Sequence, residues 1–178
     1  MLITKKNIKI IFFLFFITLF SSHVKSEIKI AFIQTDFLIS ESLAGKSLLD
    51  QINKIDKKNK KELKKIREKL DSEKKDISQK KNVLSEDEYK KKVISLNKRF
   101  QSLQSNAKKK IKALQAIRNK GMSKILNELN IILSEYSIEN ELTFIIDQKN
   151  IIIGKTELNI TNEILKLINK KLTQIDIK

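Results

Sequence analysis

Residues 63–88 read LKKIREKLDSEKKDISQKKNVLSEDE. Leu63, Leu70, Ile77 and Leu84 recur every seven residues, the spacing that keeps one helical stripe against a partner helix. The companion stripe (Ile52, Asn59, Ile66, Glu73, Lys80) is half polar and weakens toward residue 80. Ser85 followed by Glu86-Asp87-Glu88 supplies an N-cap hydroxyl and acids for the first turn of a new helix. The stretch therefore reads as one limb of a coiled-coil-like hairpin ending and the second beginning.

Working outward, apolar residues from Val93 and Leu96 through Phe100, Leu103, Leu114 and Ile125 to Tyr136 follow a three-and-four spacing. It slips near Ala107–Ile111 and again around Gly121. A glycine inside a helix costs about 1 kcal/mol relative to alanine, so a bend is expected at Gly121. Limbs at Lys46–Asn82 and Glu86–Ser137 pair as an antiparallel arm, residues 46–137. At 1.5 Å per residue the first limb is about 55 Å long. The chain contains no proline and three glycines, so little interrupts such helices.

The flanks carry a different pattern. Ile28–Gln34 is a short β-branched strand, and Asp36–Ser40 forms a turn or helical piece, so residues 27–45 open a small β-body. Leu142–Ile146 and Ile151–Ile153, joined by Asp147–Asn150, are expected to form a β-hairpin. Thr161 is the candidate N-cap of a final helix with Ile164, Leu165, Ile168 and Leu172 on its apolar face. Residues 138–178 thus complete the body. The fold class is α+β, mainly α: a projecting helical hairpin on three short strands and a C-terminal helix. Three short strands leave open edges, which oligomerisation would close. The candidate oligomer core is Ile28, Ile30, Phe32, Leu142, Phe144 and Ile146.

The first 26 residues read as an address. Lys5, Lys6 and Lys9 precede an apolar run, Ile10–Phe20, and Ser26 is a small residue before Glu27. Charged start, short apolar core and small residue describe a secretory signal peptide cleaved between Ser26 and Glu27. Eleven apolar residues reach about 16 Å as a helix, against a hydrocarbon core of roughly 30 Å, which disfavours an uncleaved anchor. Export to the periplasm is the expectation.

The full chain carries a net charge of +16, with 37 basic and 21 acidic residues. Lysine greatly outnumbers arginine, and a compositional bias accounts for part of the magnitude but not for the placement. Residues 46–137 hold 26 basic and 12 acidic residues, while residues 138–178 hold six of each. From Tyr89 to Asn127 there are 12 basic residues and no acid. Lys90, Lys91, Lys92, Lys98, Arg99, Lys108, Lys109, Lys110, Lys112 and Arg118 are the candidate binding residues of this limb. Glu62, Glu68, Asp71, Glu73 and Asp76 on the first limb are placed to offset part of that charge. An unbalanced remainder suits acidic polypeptide, anionic lipid or nucleic acid, and export argues against nucleic acid.

Catalysis has little to stand on. There is no cysteine, and the only histidine, His23, lies in the leader. No serine, lysine or carboxylate stands in a nucleophile–base spacing, and without His or Cys no metal site or cofactor is expected.

Ile28-Lys29-Ile30-Ala31-Phe32-Ile33, then Ser40-Glu41-Ser42-Leu43-Ala44-Gly45-Lys46, then a long charged hairpin, resembles the OmpH/Skp family of periplasmic chaperones. Leu142–Asp147 looks like that family's apolar strand ending in Asp, and Leu158–Leu165 looks like its helix start. Gln34-Thr35 and Leu43 depart from the family pattern, where acid or Asn and Pro are common. The resemblance implies a homotrimer with helical arms around a cavity. It also implies a holdase, working without ATP, that carries unfolded outer-membrane proteins. The alternative is an envelope structural protein, or one that binds lipopolysaccharide or anionic lipid through the basic arm.

Overall fold

The computed structural model describes residues 28–177. The expected leader and its cleavage point between Ser26 and Glu27 lie outside the described residues. In order, the chain forms β1 (Ile30–Ile33), α1 (Thr35–Glu41), α2 (Leu43–Gln79), α3 (Glu86–Glu139), β2 (Phe144–Asp147) and α4 (Thr161–Lys171). Single 3-10 turns occupy Gln148–Asn150 and Thr156–Leu158.

The two long helices are the expected limbs. α2 has 37 residues and α3 has 54, lengths of about 55 and 81 Å. The difference lets α3 run past the arm into the body. Ser85 ends the turn with a capping box: its hydroxyl accepts from the Glu88 N–H while the Glu88 carboxylate takes the Ser85 N–H. Two donors that helix geometry leaves unpaired are thereby satisfied.

At the other end, Ser42 caps α2. Its buried hydroxyl accepts from Gly45 N–H at 3.1 Å. Gly45 lies so close to Ile39 that any Cβ would overlap the Ile39 carbonyl oxygen. The Ser-Leu-Ala-Gly run is thus a sharp corner between α1 and α2 that only glycine permits. Asn169 of α4 adds an outside cap, its Oδ1 accepting from the Leu43 N–H at 2.7 Å.

Gly121 does not interrupt the helix. α3 runs through it unbroken, and Gly121 is buried against Leu48, whose side chain fills the space a Cβ would take. The missing side chain lets α2 and α3 approach closely at the root of the arm, which outweighs the helix propensity lost.

The strand expectation needs correction. β1 begins at Ile30, and β2 pairs with it in parallel, with Ile30 opposite Phe144 and Phe32 opposite Ile146. Parallel neighbours need a crossover, and here the crossover is the entire arm. The expected hairpin between Leu142–Ile146 and Ile151–Ile153 does not form. Asp147 accepts from the Lys149 N–H and starts a 3-10 turn, so the chain leads away from β2 instead of doubling back. Ile152 and Ile153 are left 99% and 91% exposed. The chain returns to β1 only later, at a bridge between Phe32 and Asn159.

Alternation divides the sheet. Ile33 is buried in the main core and Ile145 packs against that core, on the face covered by helices. Leu48 and Ile52 of α2, Ile125, Leu129 and Ile132 of α3, and Ile164 and Ile168 of α4 complete it. Fully burying such a side chain contributes about 1.5–3 kcal/mol, so this cluster fixes the arm to the body.

Thr161 is not the side-chain N-cap that its position predicts. Ile160 is the cap residue, and the Asn159 carboxamide oxygen accepts from the Thr161 N–H at 3.0 Å. The Thr161 hydroxyl is buried and accepts from the Gln34 N–H at 3.0 Å, tying the end of β1 to the start of α4.

Candidate functional site

The arm is held by two separate apolar clusters. One is the body core. The other, nearer the tip, buries Leu70, Ile77 and Leu96, with Ile66, Tyr89, Val93, Phe100 and Leu103 packed against them. Leu70 and Ile77 of the seven-residue seam are therefore core, while Leu63 and Leu84 are half-buried.

Two of the three polar members of the companion seam, Asn59 and Glu73, are paired across the limbs, while Lys80 near the tip is exposed. The Lys110 ammonium donates to Asn59 Oδ1 and Glu62 Oε2, both at 3.0 Å. Arg99 Nη1 donates to both oxygens of Glu73, at 2.8 and 2.6 Å. Two of the ten candidate basic residues thus serve the hairpin itself. Glu68 and Asp71 turn instead to Lys64 and Arg67 on their own helix. The expected cross-limb compensation is made by Glu62 and Glu73.

Lys90, Lys91, Lys92, Lys98, Lys108, Lys109, Lys112 and Arg118 are exposed along α3. Apolar groups stand among them. Ile111, between Lys110 and Lys112, is 68% exposed, and Ile94 follows the Lys90–Lys92 run and is exposed too. The slip in spacing at Ala107–Ile111 was the sequence signal for this: Ile111 falls off the buried stripe. At the tip, Val83 is 84% exposed beside Lys80 and Lys81. The result is a long surface with positive charge and isolated apolar contacts together.

Three shallow grooves follow the seam. One of about 400 Å³ near the tip is bordered by Arg67, Asp71, Lys74, Tyr89 and Phe100. A second, about 310 Å³, lies between Leu63, Lys64, Leu103 and Ala107. A third, about 270 Å³ at the root, is lined by Leu48, Leu49, Ile52 and Met122 with Arg118. Sequence reasoning did not single out the root groove, because Leu49 reads as an off-stripe leucine.

On the body, four of the candidate oligomer-core residues, Ile30, Phe32, Phe144 and Ile146, share one side of the sheet, while Ile28 and Leu142 lie just before the strands. Ile30 and Phe144 are neighbours by register, and both are exposed, as is Ile28. Phe32 is buried, with Gly154 close to its ring, and Leu142 and Ile146 are half-buried. Ile30, Phe144, Ile152 and Ile153 are large apolar side chains of the body that the chain does not cover by itself.

Titration is perturbed at structural joints. Hydrogen bonds from the Ser85 side chain and backbone lower the Glu88 pKa. The Thr35 side chain, then the Lys149 backbone and side chain, lower that of Asp147, with slight burial opposing. Lys29 lowers Glu141, at 2.6 Å. Burial and then Glu163 raise the Tyr136 phenol. None of these groups is gathered into a catalytic constellation. Among the described residues no group of three or more His, Cys, Asp or Glu could hold a metal ion, and no helix is long and apolar enough to cross a membrane.

The family model for outer membrane protein (OmpH-like) matches residues 29–168, from β1 into α4. The chain belongs to the OmpH-like family. No curated protein matches it. The crystal structure of an OmpH-like outer membrane chaperone from Caulobacter crescentus CB15 superposes with a TM-score of 0.79 at 18% identity. The match covers 88% of this chain and 92% of that one. At that identity the likeness is one of fold, and it includes arm and body alike. This OmpH-like chain therefore keeps the family's layout with few shared side chains.

Proposed function

We propose that this protein is an ATP-independent periplasmic holdase that binds unfolded outer-membrane proteins between the arms of a homotrimer. The observation that carries the reading is the acid-free stretch of α3, Tyr89–Asn127, where exposed lysines stand beside exposed Ile94 and Ile111. An unfolded polypeptide offers acidic and apolar groups at many points. Weak contacts repeated along three arms raise overall binding by about 10²–10⁴ without any strong single site. Membership of the OmpH-like family supports the same reading.

The exposed outer face of the sheet supports assembly. Ile30, Phe144, Ile152 and Ile153 form the body surface that partner copies would cover, closing the open edge of β2. The arms then hang from a common body around a cavity. The paired polar seam at Asn59, Glu62 and Lys110 separates the two apolar clusters, a place where an arm can flex to suit clients of different size.

Two measurements test the reading. Light scattering on the mature protein should give a trimer, and a monomer overturns the cavity. Affinity for an unfolded β-barrel client should fall as salt rises, because exposed charges are screened over about 10 Å at 0.1 M. Salt-independent capture removes the basic face from the mechanism. Mild crosslinking that recovers lipid or lipopolysaccharide without β-barrel proteins favours the envelope role instead.

A further inference from the structure

The chain after α4 is neither helix nor strand, yet it is firmly seated. Ile175 is buried in the main core, and Leu172 and Ile177 pack against it, while Thr173, Gln174 and Asp176 face out. Both limbs of the arm hold its backbone. The Gln51 carboxamide on α2 donates to the Ile175 carbonyl at 2.6 Å. The Lys124 ammonium on α3 donates to the Asp176 carbonyl at 2.7 Å.

These contacts read very little side-chain identity. Two donors take consecutive main-chain carbonyls, and apolar space takes alternate side chains, Ile175 and Ile177. Main-chain hydrogen bonds with pockets for alternate residues are the usual terms on which an extended peptide is bound. The strands of an outer-membrane barrel carry the same alternation of apolar and polar residues.

We propose that residues 172–177 are the resident occupant of a peptide-binding groove at the root of the arm, which an amphipathic strand of an unfolded client takes over by displacing them. The proposal rests on the holdase reading and adds a defined site to it. The tether keeps the tail at an effective concentration of about millimolar. The groove is therefore covered when no client is present, and it opens only to a chain already held by the arms. Occupancy by the tail lowers the apparent affinity of the groove by the fraction of time it is closed.

The test uses the mature full-length chain, which has no cysteine. Exposed Gln174 is replaced (Gln174→Cys) and labelled with a nitroxide, and an unfolded outer-membrane β-barrel protein carrying a fluorophore is added. Client binding is read by anisotropy and tail mobility by the nitroxide spectrum of the same sample. Binding accompanied by a sharp, mobile component supports the groove. Binding with an unchanged spectrum overturns it and leaves the holdase reading standing; no binding at all overturns both. A second variant, Ile175→Ser, should bind client about threefold more tightly or better if tail occupancy is limiting. Unchanged or weaker binding by an Ile175→Ser protein of native helix content counts against the proposal.

Discussion

The backbone N–H of Gln34 donates to the hydroxyl oxygen of Thr161 at 3.0 Å, across 127 positions of sequence. Gln34 follows the last residue of β1, and Thr161 opens α4. The bond joins the two ends of the OmpH-like layout at a partly buried point. Without the hydroxyl, the amide loses its partner at a point only partly open to solvent.

Thr161→Val should therefore destabilise the protein by about 1 kcal/mol, the low end of the cost of leaving a buried donor unsatisfied, because the amide is only partly buried. Thr161→Ser keeps the oxygen and should lose much less. Urea unfolding of both variants checks this, and equal losses would show that the methyl group matters more than the bond.

The two buried glycines should differ in what they tolerate. At Gly45 an added Cβ meets the backbone carbonyl of Ile39, which cannot move without unmaking the corner, so Gly45→Ala should cost about 3 kcal/mol or more. At Gly121 the obstacle is the Leu48 side chain, and alanine also favours helix, so Gly121→Ala should cost about 1–2 kcal/mol. Combining it with Leu48→Ala should give less than the sum of the two single losses. Strict additivity would mean that the helices do not meet there.

Arg99 and Glu73 form the best-aligned cross-limb pair, yet both side chains are at least a third exposed. A double-mutant cycle on Arg99→Ala and Glu73→Ala should give a coupling of only about 0.2–1 kcal/mol. It should shrink in high salt. Leu70→Ala, in the buried cluster beside it, should cost about 2–5 kcal/mol by thermal or urea melting. The reverse order would make the arm an electrostatic structure instead of an apolar one.

Acid should loosen the joints before it reaches the cores. Glu88, Glu141 and Asp147 have lowered pKa values in the folded chain. Their contribution is therefore present above the unfolded carboxylate pKa and lost as pH falls through the lower folded value. Lys171, raised by its hydrogen bond to Glu135, acts in the opposite direction. Its contribution is full below the unfolded lysine pKa and lost as pH rises through the folded one. Thermal melting should give a broad plateau with an acid limb that Glu88→Gln and Asp147→Asn together reduce. An unchanged acid limb in that double variant would place the sensitivity elsewhere.

Ile152→Asp should shift the assembled protein toward monomer with little change in helix content. Ile152 lies on the body surface assigned to partner copies and makes no demand on the fold of its own chain. Light scattering and circular dichroism on the same sample check both halves. Loss of helix, or a mass unchanged from that of the unsubstituted protein, would take Ile152 out of the interface.

Much of the layout was legible from local pattern. The seven-residue seam, the Ser85 cap and the absence of proline suffice for a long hairpin. They depend on neighbours three, four and seven residues away, which any helix brings together. The acid-free run on α3 is likewise a property of the string. What could not be read were relationships between distant residues. Asn59 and Glu73 looked like defects in a seam until Lys110 and Arg99 stood opposite them, and nothing local showed that Gly121 makes room for Leu48.

The strands show the division most clearly. Alternation marked Ile28–Gln34 as extended and β-branched composition marked Leu142–Ile146, because both signals are local. Their pairing was decided only by tertiary structure. Asp147 turned the chain away from a hairpin, the arm brought β2 alongside β1 in parallel, and Thr161 received the free amide at the end of β1. By itself the sequence determined that this protein is a basic helical arm on a small body. Only the tertiary structure decided which lysines are spent on holding the arm together and which remain exposed, because that depends on distance across the hairpin.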